Sequence, residues 1–175
     1  MTKVLFIPGS LRAASSSRAT VRALIKRLEA DVSCSVADAG LLPHYNADIS
    51  DDPAVEGFLA EIASADGVVF VTPEYNYSVP GVLKNAIDWA SRPAFNSVFK
   101  GKSCFIVSVS GGALGGVRAQ AHLKYILNGM LAKTFACQEI VVPQANTKVV
   151  DGHLADETIL DFAELNLRAF IADLR

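Results

Sequence analysis

A three-layer α/β sandwich around a parallel sheet is the fold this sequence predicts, and three observations predict it. Short apolar runs recur, Val4-Leu5-Phe6-Ile7, Val68-Val69-Phe70-Val71 and Cys104-Phe105-Ile106-Val107. Each is continuous rather than alternating, as strands buried on both faces require. Between the runs lie segments with apolar residues at helical spacing. Loops rich in glycine, serine or proline follow the strands, where an open α/β sheet gathers its ligand.

Val4 to Ile7 marks the first strand, and the helix after it carries Val21, Leu24, Ile25 and Leu28 on one face. Ser33 to Ala37 is a weaker second strand, nearer an edge. Asp52-Pro53, an Asp cap followed by proline, starts a helix striped by Val55, Phe58, Leu59 and Ile62. Gly67 to Thr72 is the third and most hydrophobic strand. Its helix is expected to open near Ser78 as N-cap, with Pro80 in the first turn. Ser103 to Val109 is the fourth strand, followed by a helix over about Gly116 to Met130. Glu139 to Val142 is the fifth, and a last helix from about Ala155 buries Leu160, Ala163, Leu167, Phe170 and Leu174. Alternation of this kind gives a five-stranded parallel sheet between helical layers. With right-handed crossovers, the flavodoxin-like order 2-1-3-4-5 places the switch point between strands one and three. A length of 175 residues suits a single domain over 1–175.

Composition narrows the function. A hydrophobic content of 51% supplies a core, and a net charge of -2 with no long basic run argues against nucleic acid as a partner. No apolar run approaches the ~20 residues that span a bilayer, and no signal peptide is visible, so a cytoplasmic location is expected. Cys34, Cys104 and Cys137 show neither zinc spacing nor a CxxC pair, and they read as inert thiols. His44, His122 and His153 are isolated, which speaks against a metal centre.

The loop Gly9-Ser10-Leu11-Arg12-Ala13-Ala14-Ser15-Ser16-Ser17-Arg18 joins the first strand to the first helix. Gly9 permits a tight turn, and Ser10, Ser15, Ser16 and Ser17 offer hydroxyls. The free N–H groups of a helix start favour an anion, and Arg12 adds charge. One serine would suffice to cap the helix; this set exceeds that need. GxGxxG and GxxxxGK[ST] are both absent, which weakens dinucleotide and P-loop readings. A low-molecular-weight phosphatase needs a cysteine in this loop, and a receiver domain needs an aspartate where Thr72 stands.

Two further loops suit a flat polar ring. Pro73-Glu74-Tyr75-Asn76 lacks glycine, and Pro73 and Pro80 stiffen the segment they bracket. It offers backbone polar groups and the aromatic faces of Tyr75 and Tyr77, which either stack on a ligand or simply pack. Glu74 reads as a general base or as a solvated or helix-facing carboxylate. In the helix that follows, Val79, Leu83, Ile87 and Ala90 form one apolar stripe and Val82, Ala86 and Trp89 another. That pattern fits either burial against a second subunit or one broad core face. The third loop, Ser108 to Gly116, holds four glycines that let backbone approach a ligand, with Ser110, Gly111 and Gly112 as candidate contacts.

These motifs resemble the NADPH-dependent FMN reductase family, which includes bacterial chromate and quinone reductases. The matching segments are GSLRxxSxxR at Gly9–Arg18, PEYNYSVPGVLKNAIDW at Pro73–Trp89 and SGGxxGGxRAQxHLK at Ser110–Lys124. Where many relatives read SxNR, this chain has Ser15-Ser16-Ser17-Arg18, so a hydroxyl replaces an amide at Ser17. The resemblance implies noncovalent FMN, with its phosphate on Ser10, Arg12, Ser15, Ser16 and Ser17. It implies that Pro73, Glu74, Tyr75 and Asn76 edge the ring while Ser110, Gly111 and Gly112 meet its far side. It also implies NAD(P)H as cosubstrate and homodimers or homotetramers. The expected activity is transfer of electrons from NAD(P)H through FMN to quinones, azo compounds, free flavin or metal oxyanions such as chromate. No side chain is expected to be catalytic, because the cofactor carries the chemistry. The rivals are a flavodoxin-like electron carrier, which a charge of -2 does little to favour, and a nonredox nucleotide-binding module.

Overall fold

In the computed structural model, which describes residues 1–174, the first apolar run becomes β1 (Thr2–Pro8), with Val4 through Ile7 almost wholly buried. Both edges of β1 pair in parallel. Val4 lies opposite Cys34 of β2 (Val32–Val36) and opposite Gly67 of β3 (Gly67–Pro73). β3 pairs in turn with β4 (Ser103–Val109). The order is β2-β1-β3-β4 and then a fifth position, the flavodoxin-like arrangement predicted from sequence. Helices α1 (Ser16–Leu28) and α5 (Glu157–Asp173) cover one face of the sheet. α2 (Pro53–Ser64), α3 (Gly81–Ala90) and α4 (Val117–Gly129) cover the other.

The fifth position departs from the expected single strand. It is divided into β5 (Lys133–Thr134), opposite Ser103 and Cys104, and β6 (Ile140–Val142), opposite Val107 to Val109. Between them the chain leaves the sheet where Phe135 enters an aromatic cluster, its centroid 6.1 Å from Phe105 and 5.7 Å from Phe170. Aromatic contact there offsets the interrupted ladder. The stretch after β6 is also ordered: a 3-10 turn, Ala145–Thr147, leads to a hairpin of β7 (Val149–Val150) and β8 (His153–Leu154).

Helix ends follow local chemistry, with one correction. Asp52 caps α2 by accepting the N–H groups of Ala54 and Val55, and Pro53 occupies the first turn as expected. Ser78 does not cap α3. The cap position belongs to Pro80, because Ser78 is folded back in a two-residue bridge with Tyr75. Its hydroxyl meets His122 Nδ1 at 2.9 Å instead. On α3, Leu83, Ala86, Ile87, Trp89 and Ala90 are all buried within this one chain, so the two stripes merge into one broad core face.

An ion network ties the two helices of the other layer. Arg27 of α1 meets Glu157, Asp161 and Glu164 of α5, and Glu164 also accepts Arg168 Nε at 2.8 Å. Hydrogen bonds from Arg168 and then Arg27 hold the Glu164 carboxyl below its ordinary value of 4.5. A depressed carboxylate stabilises the fold above its unfolded pKa, and that share is lost as pH falls through the folded value. Thermal melts at about pH 6 and about pH 3 should therefore show Glu164→Gln losing less on acidification than the wild type, by on the order of 1 kcal/mol. Equal losses in the two proteins would remove Glu164 from the acid response.

Candidate active site

The loops leaving β1, β3, β4 and β6 meet above the carboxyl edge of the sheet and bound an open cavity of about 180 Å³. At the β1 loop, Gly9 packs so closely on β3 that a Cβ there would stand 2.8 Å from Thr72 Oγ1 and 3.0 Å from Pro73 Cδ. The chain then rises to Ser15, whose Oγ accepts the Arg18 N–H at 3.1 Å and caps α1. No acidic residue lies in the first turn of α1, so its dipole faces the cavity unopposed by a carboxylate. Arg18 braces the loop from behind, with Nε donating to Ser10 O at 3.0 Å and Nη2 pairing with Asp38. Arg12 is exposed at the cavity wall, free for an anion.

The β3 loop is seated on α4. The N-cap of α4 is Gly116, in the left-handed region at φ 88°, and it has no side chain to offer the helix. Glu74 supplies one from across the site. Its Oε2 accepts the N–H groups of Arg118 at 3.1 Å and Ala119 at 3.4 Å, and its Oε1 accepts Arg118 Nη1 at 2.8 Å. The Arg118 guanidinium stacks over the Tyr77 ring, 4.2 Å from its centroid. Asn76 and Tyr77 adopt φ values of 48° and 67°, strained for residues with a Cβ and held by these contacts. Tyr75 links this loop to the anion loop through a 3.3 Å contact between its hydroxyl and Ser10 Oγ.

The β4 loop is held by its own hydroxyls and by the turn after β6. Ser110 Oγ accepts the Gly112 N–H at 3.0 Å, and the Ser110 carbonyl accepts the Ala145 N–H at 2.9 Å. Not all four glycines serve a ligand. Gly115 and Gly116 have positive φ, and a Cβ would meet Val141 at 2.8 Å or Ser108 at 3.0 Å, so they serve strand packing and the start of α4.

Of the residues expected from sequence, Ser10, Arg12, Ser15, Ser16, Ser17, Pro73, Glu74, Tyr75, Ser110 and Gly111 line the one cavity. Asn76 and Gly112 stand outside the lining. Asn76 serves the exposed turn, and the Gly112 amide is turned back onto Ser110. The Ser17 hydroxyl is buried against Ser15 Oγ at 3.2 Å. Tyr77, exposed and stacked on Arg118, is spent on the loop. Two lining residues escaped the sequence reading, Val109 and Asn146. Val109 looks like any strand-end valine. Asn146 sits in the 3-10 turn after β6, and its Nδ2 would be 2.8 Å from a Cβ at Gly111. The cysteines take no part: Cys104 lies in the core, where burial pushes its thiol up to about 12.

A parallel sheet in this order, with helices on both faces and loops gathered over its switch point, defines the flavodoxin-like fold. Residues 2–147 match the family described as NADPH-dependent FMN reductase, and the chain belongs to that family. It is 40% identical over 171 residues to an NAD(P)H-dependent FMN reductase of Pseudomonas aeruginosa, a match covering 95% of this chain and 92% of the relative. It is equally 40% identical, over 178 residues, to a quinone reductase of Escherichia coli K12, covering 96% of this chain and 93% of that one. Among solved structures, the flavoenzyme NAD(P)H:(acceptor) oxidoreductase of Paracoccus denitrificans superposes with a TM-score of 0.89 at 32% identity, covering 99% of this chain and 97% of that one. The resemblance carried by the three motifs is thus borne out.

Arg12→Ala should weaken FMN binding by about ten- to a hundredfold, the scale of one charge-assisted hydrogen bond. Titration of flavin fluorescence checks this, and unchanged affinity would take Arg12 out of the site.

Proposed function

We propose that this chain is an NAD(P)H oxidoreductase with noncovalent FMN, acting as one flavodoxin-like domain over its whole length. One observation carries the reading: a single cavity joins a carboxylate-free helix start, lined with serine and arginine, to a stiff aromatic loop with an open side. The donor set fits FMN at both ends. The α1 N-terminus, Ser10, Ser15, Ser16 and Arg12 suit a phosphate, while Glu74 and Gly111, whose backbone N–H and C=O groups lie outside the loops' own hydrogen bonds among the described residues, can offer them to a ring edge.

Bound FMN supplies the two-electron chemistry, so that NAD(P)H, a proton and a quinone give NAD(P)⁺ and a hydroquinone. The protein's part is to anchor the phosphate, fix the ring edge and leave one side open. A single open side admits the nicotinamide and the oxidant in turn, a ping-pong order. It also admits azo compounds, free flavin or an oxyanion such as chromate, because a stacking site selects flatness and charge more than identity. The relatives' names, FMN reductase and quinone reductase, support this range of acceptors.

We further place the protein in the cytoplasm as a homodimer or homotetramer. Three free cysteines suit a reducing compartment. Among the described residues no helix is long and apolar enough to cross a membrane. Support for assembly comes from the groove between α3 and α4, where Val79 and Ile126 are half-buried and Tyr125 is 82% exposed. Tyr125→Asp should move the protein to a smaller species in sedimentation. An unchanged sedimentation coefficient would assign the interface elsewhere.

The purified protein should be yellow after addition of FMN, bleach anaerobically with NADPH or NADH, and regain colour with a quinone. A colourless protein would favour the nonredox module, and a yellow protein inert to both nicotinamides would favour the carrier.

A further inference from the structure

Glu74 reaches the cavity wall with 11% of its side chain exposed, yet every hydrogen bond it accepts comes from α4. Its cation partner, Arg118, is pinned on the other side by the Tyr77 ring. Ser78 and His122 add a further tie one helical turn along. Three residues of the ring loop are thus fastened to one face of α4, through Arg118, Ala119 and His122. The pair also has an electrostatic consequence. A nearly buried carboxylate in the wall of a ring site disfavours any added negative charge there, and an adjacent guanidinium cancels it.

We infer that Glu74 and Arg118 form a charge-balanced latch: positioning residues that seat the ring loop on α4 and set the relative affinity of the site for reduced and oxidised FMN. The inference rests on the FMN reading above. Reduced FMN carries more negative charge than oxidised FMN, so charge near the ring tunes its potential. Glu74→Gln keeps the side-chain shape and one acceptor oxygen for the α4 N–H groups, gives up the acceptor facing Arg118 and leaves the guanidinium unopposed, favouring reduced FMN. Arg118→Gln leaves the carboxylate unopposed and disfavours it. General loosening of the loop has no reason to give opposite signs.

The test is the midpoint potential of bound FMN, measured by dye-coupled anaerobic titration. Glu74→Gln should raise it and Arg118→Gln should lower it, each altering the affinity ratio of reduced to oxidised FMN by roughly three- to thirtyfold. The double variant should return to within about threefold of the wild type, and Arg118→Lys should stay near it. Shifts of the same sign in both single variants, or no shift in either, would overturn the latch. Should Arg118→Gln fail to hold FMN, Glu74→Gln against Arg118→Lys decides, since a wild-type potential in Glu74→Gln overturns it equally. A wild-type protein that stays colourless with FMN fails at the earlier step and removes the reading on which the latch stands. Yellow variants with unmoved potentials remove the latch alone.

Discussion

Helix α1 begins without a carboxylate, and the proposed anion seat depends on that. Three of the other four helices handle their free N–H groups with acids: Asp52 and Glu56 at α2, Asp156 and Glu157 at α5, and Glu74 reaching across to α4; α3 starts on Pro80 without one. At α1 the cap is a neutral serine, the first turn holds no acid, and the loop leading into it carries Arg12 and Arg18. A helix start left positive in this way is stabilised by an incoming anion rather than by its own chain. The switch point of the sheet puts that start beside the β3 loop, so the serine-rich loop and the aromatic loop stand on adjacent strands, as the proposed FMN site requires.

Preorganisation follows from how the loops are tied to one another. Tyr75 reaches Ser10, Glu74 reaches α4, Ser110 reaches the turn after β6, and Gly9 is pressed on Thr72. Each tie joins segments distant in sequence, so ordering one loop orders the next. A site supported in this way does not have to pay its ordering entropy when the ligand arrives. The strained backbone at Asn76 and Tyr77 is consistent with that picture, because such conformations persist only where surrounding contacts over-determine them.

Much of this was legible in the chain, because continuous apolar runs and helical stripes report burial directly. β1, β3 and β4 are near-unbroken apolar stretches, and the 2-1-3-4-5 order followed from alternation and handedness. That Ser10, Arg12, Ser15, Ser16 and Ser17 would gather in one place was legible because they are nearly consecutive. What escaped depends on partners far along the chain. Nothing around Ser78 reveals that His122 will take its hydroxyl, 44 residues away. Asn146 enters the cavity only because β6 pairs with β4 and turns its next residues inward. The split of the fifth strand reflects Phe135 meeting Phe105 and Phe170, which no local pattern announces. Glu74 was visible as a carboxylate, but its target was not, since Gly116 shows as a missing cap only once α4 is placed.

The target settles what Glu74 can do. A carboxylate serving as general base must exchange a proton and then release it, and must be free to do so in each cycle. Glu74 already accepts two backbone N–H groups and a guanidinium, so its oxygens are occupied at the helix they cap. Acid–base work at this residue therefore conflicts with the seating of the loop that carries it. Cys104 is sealed in the core and His122 is engaged with Ser78, so neither joins the cavity lining. On the function proposed above, selection rests on what can lie flat on the open side, which gives a physical basis for breadth among quinones and related oxidants.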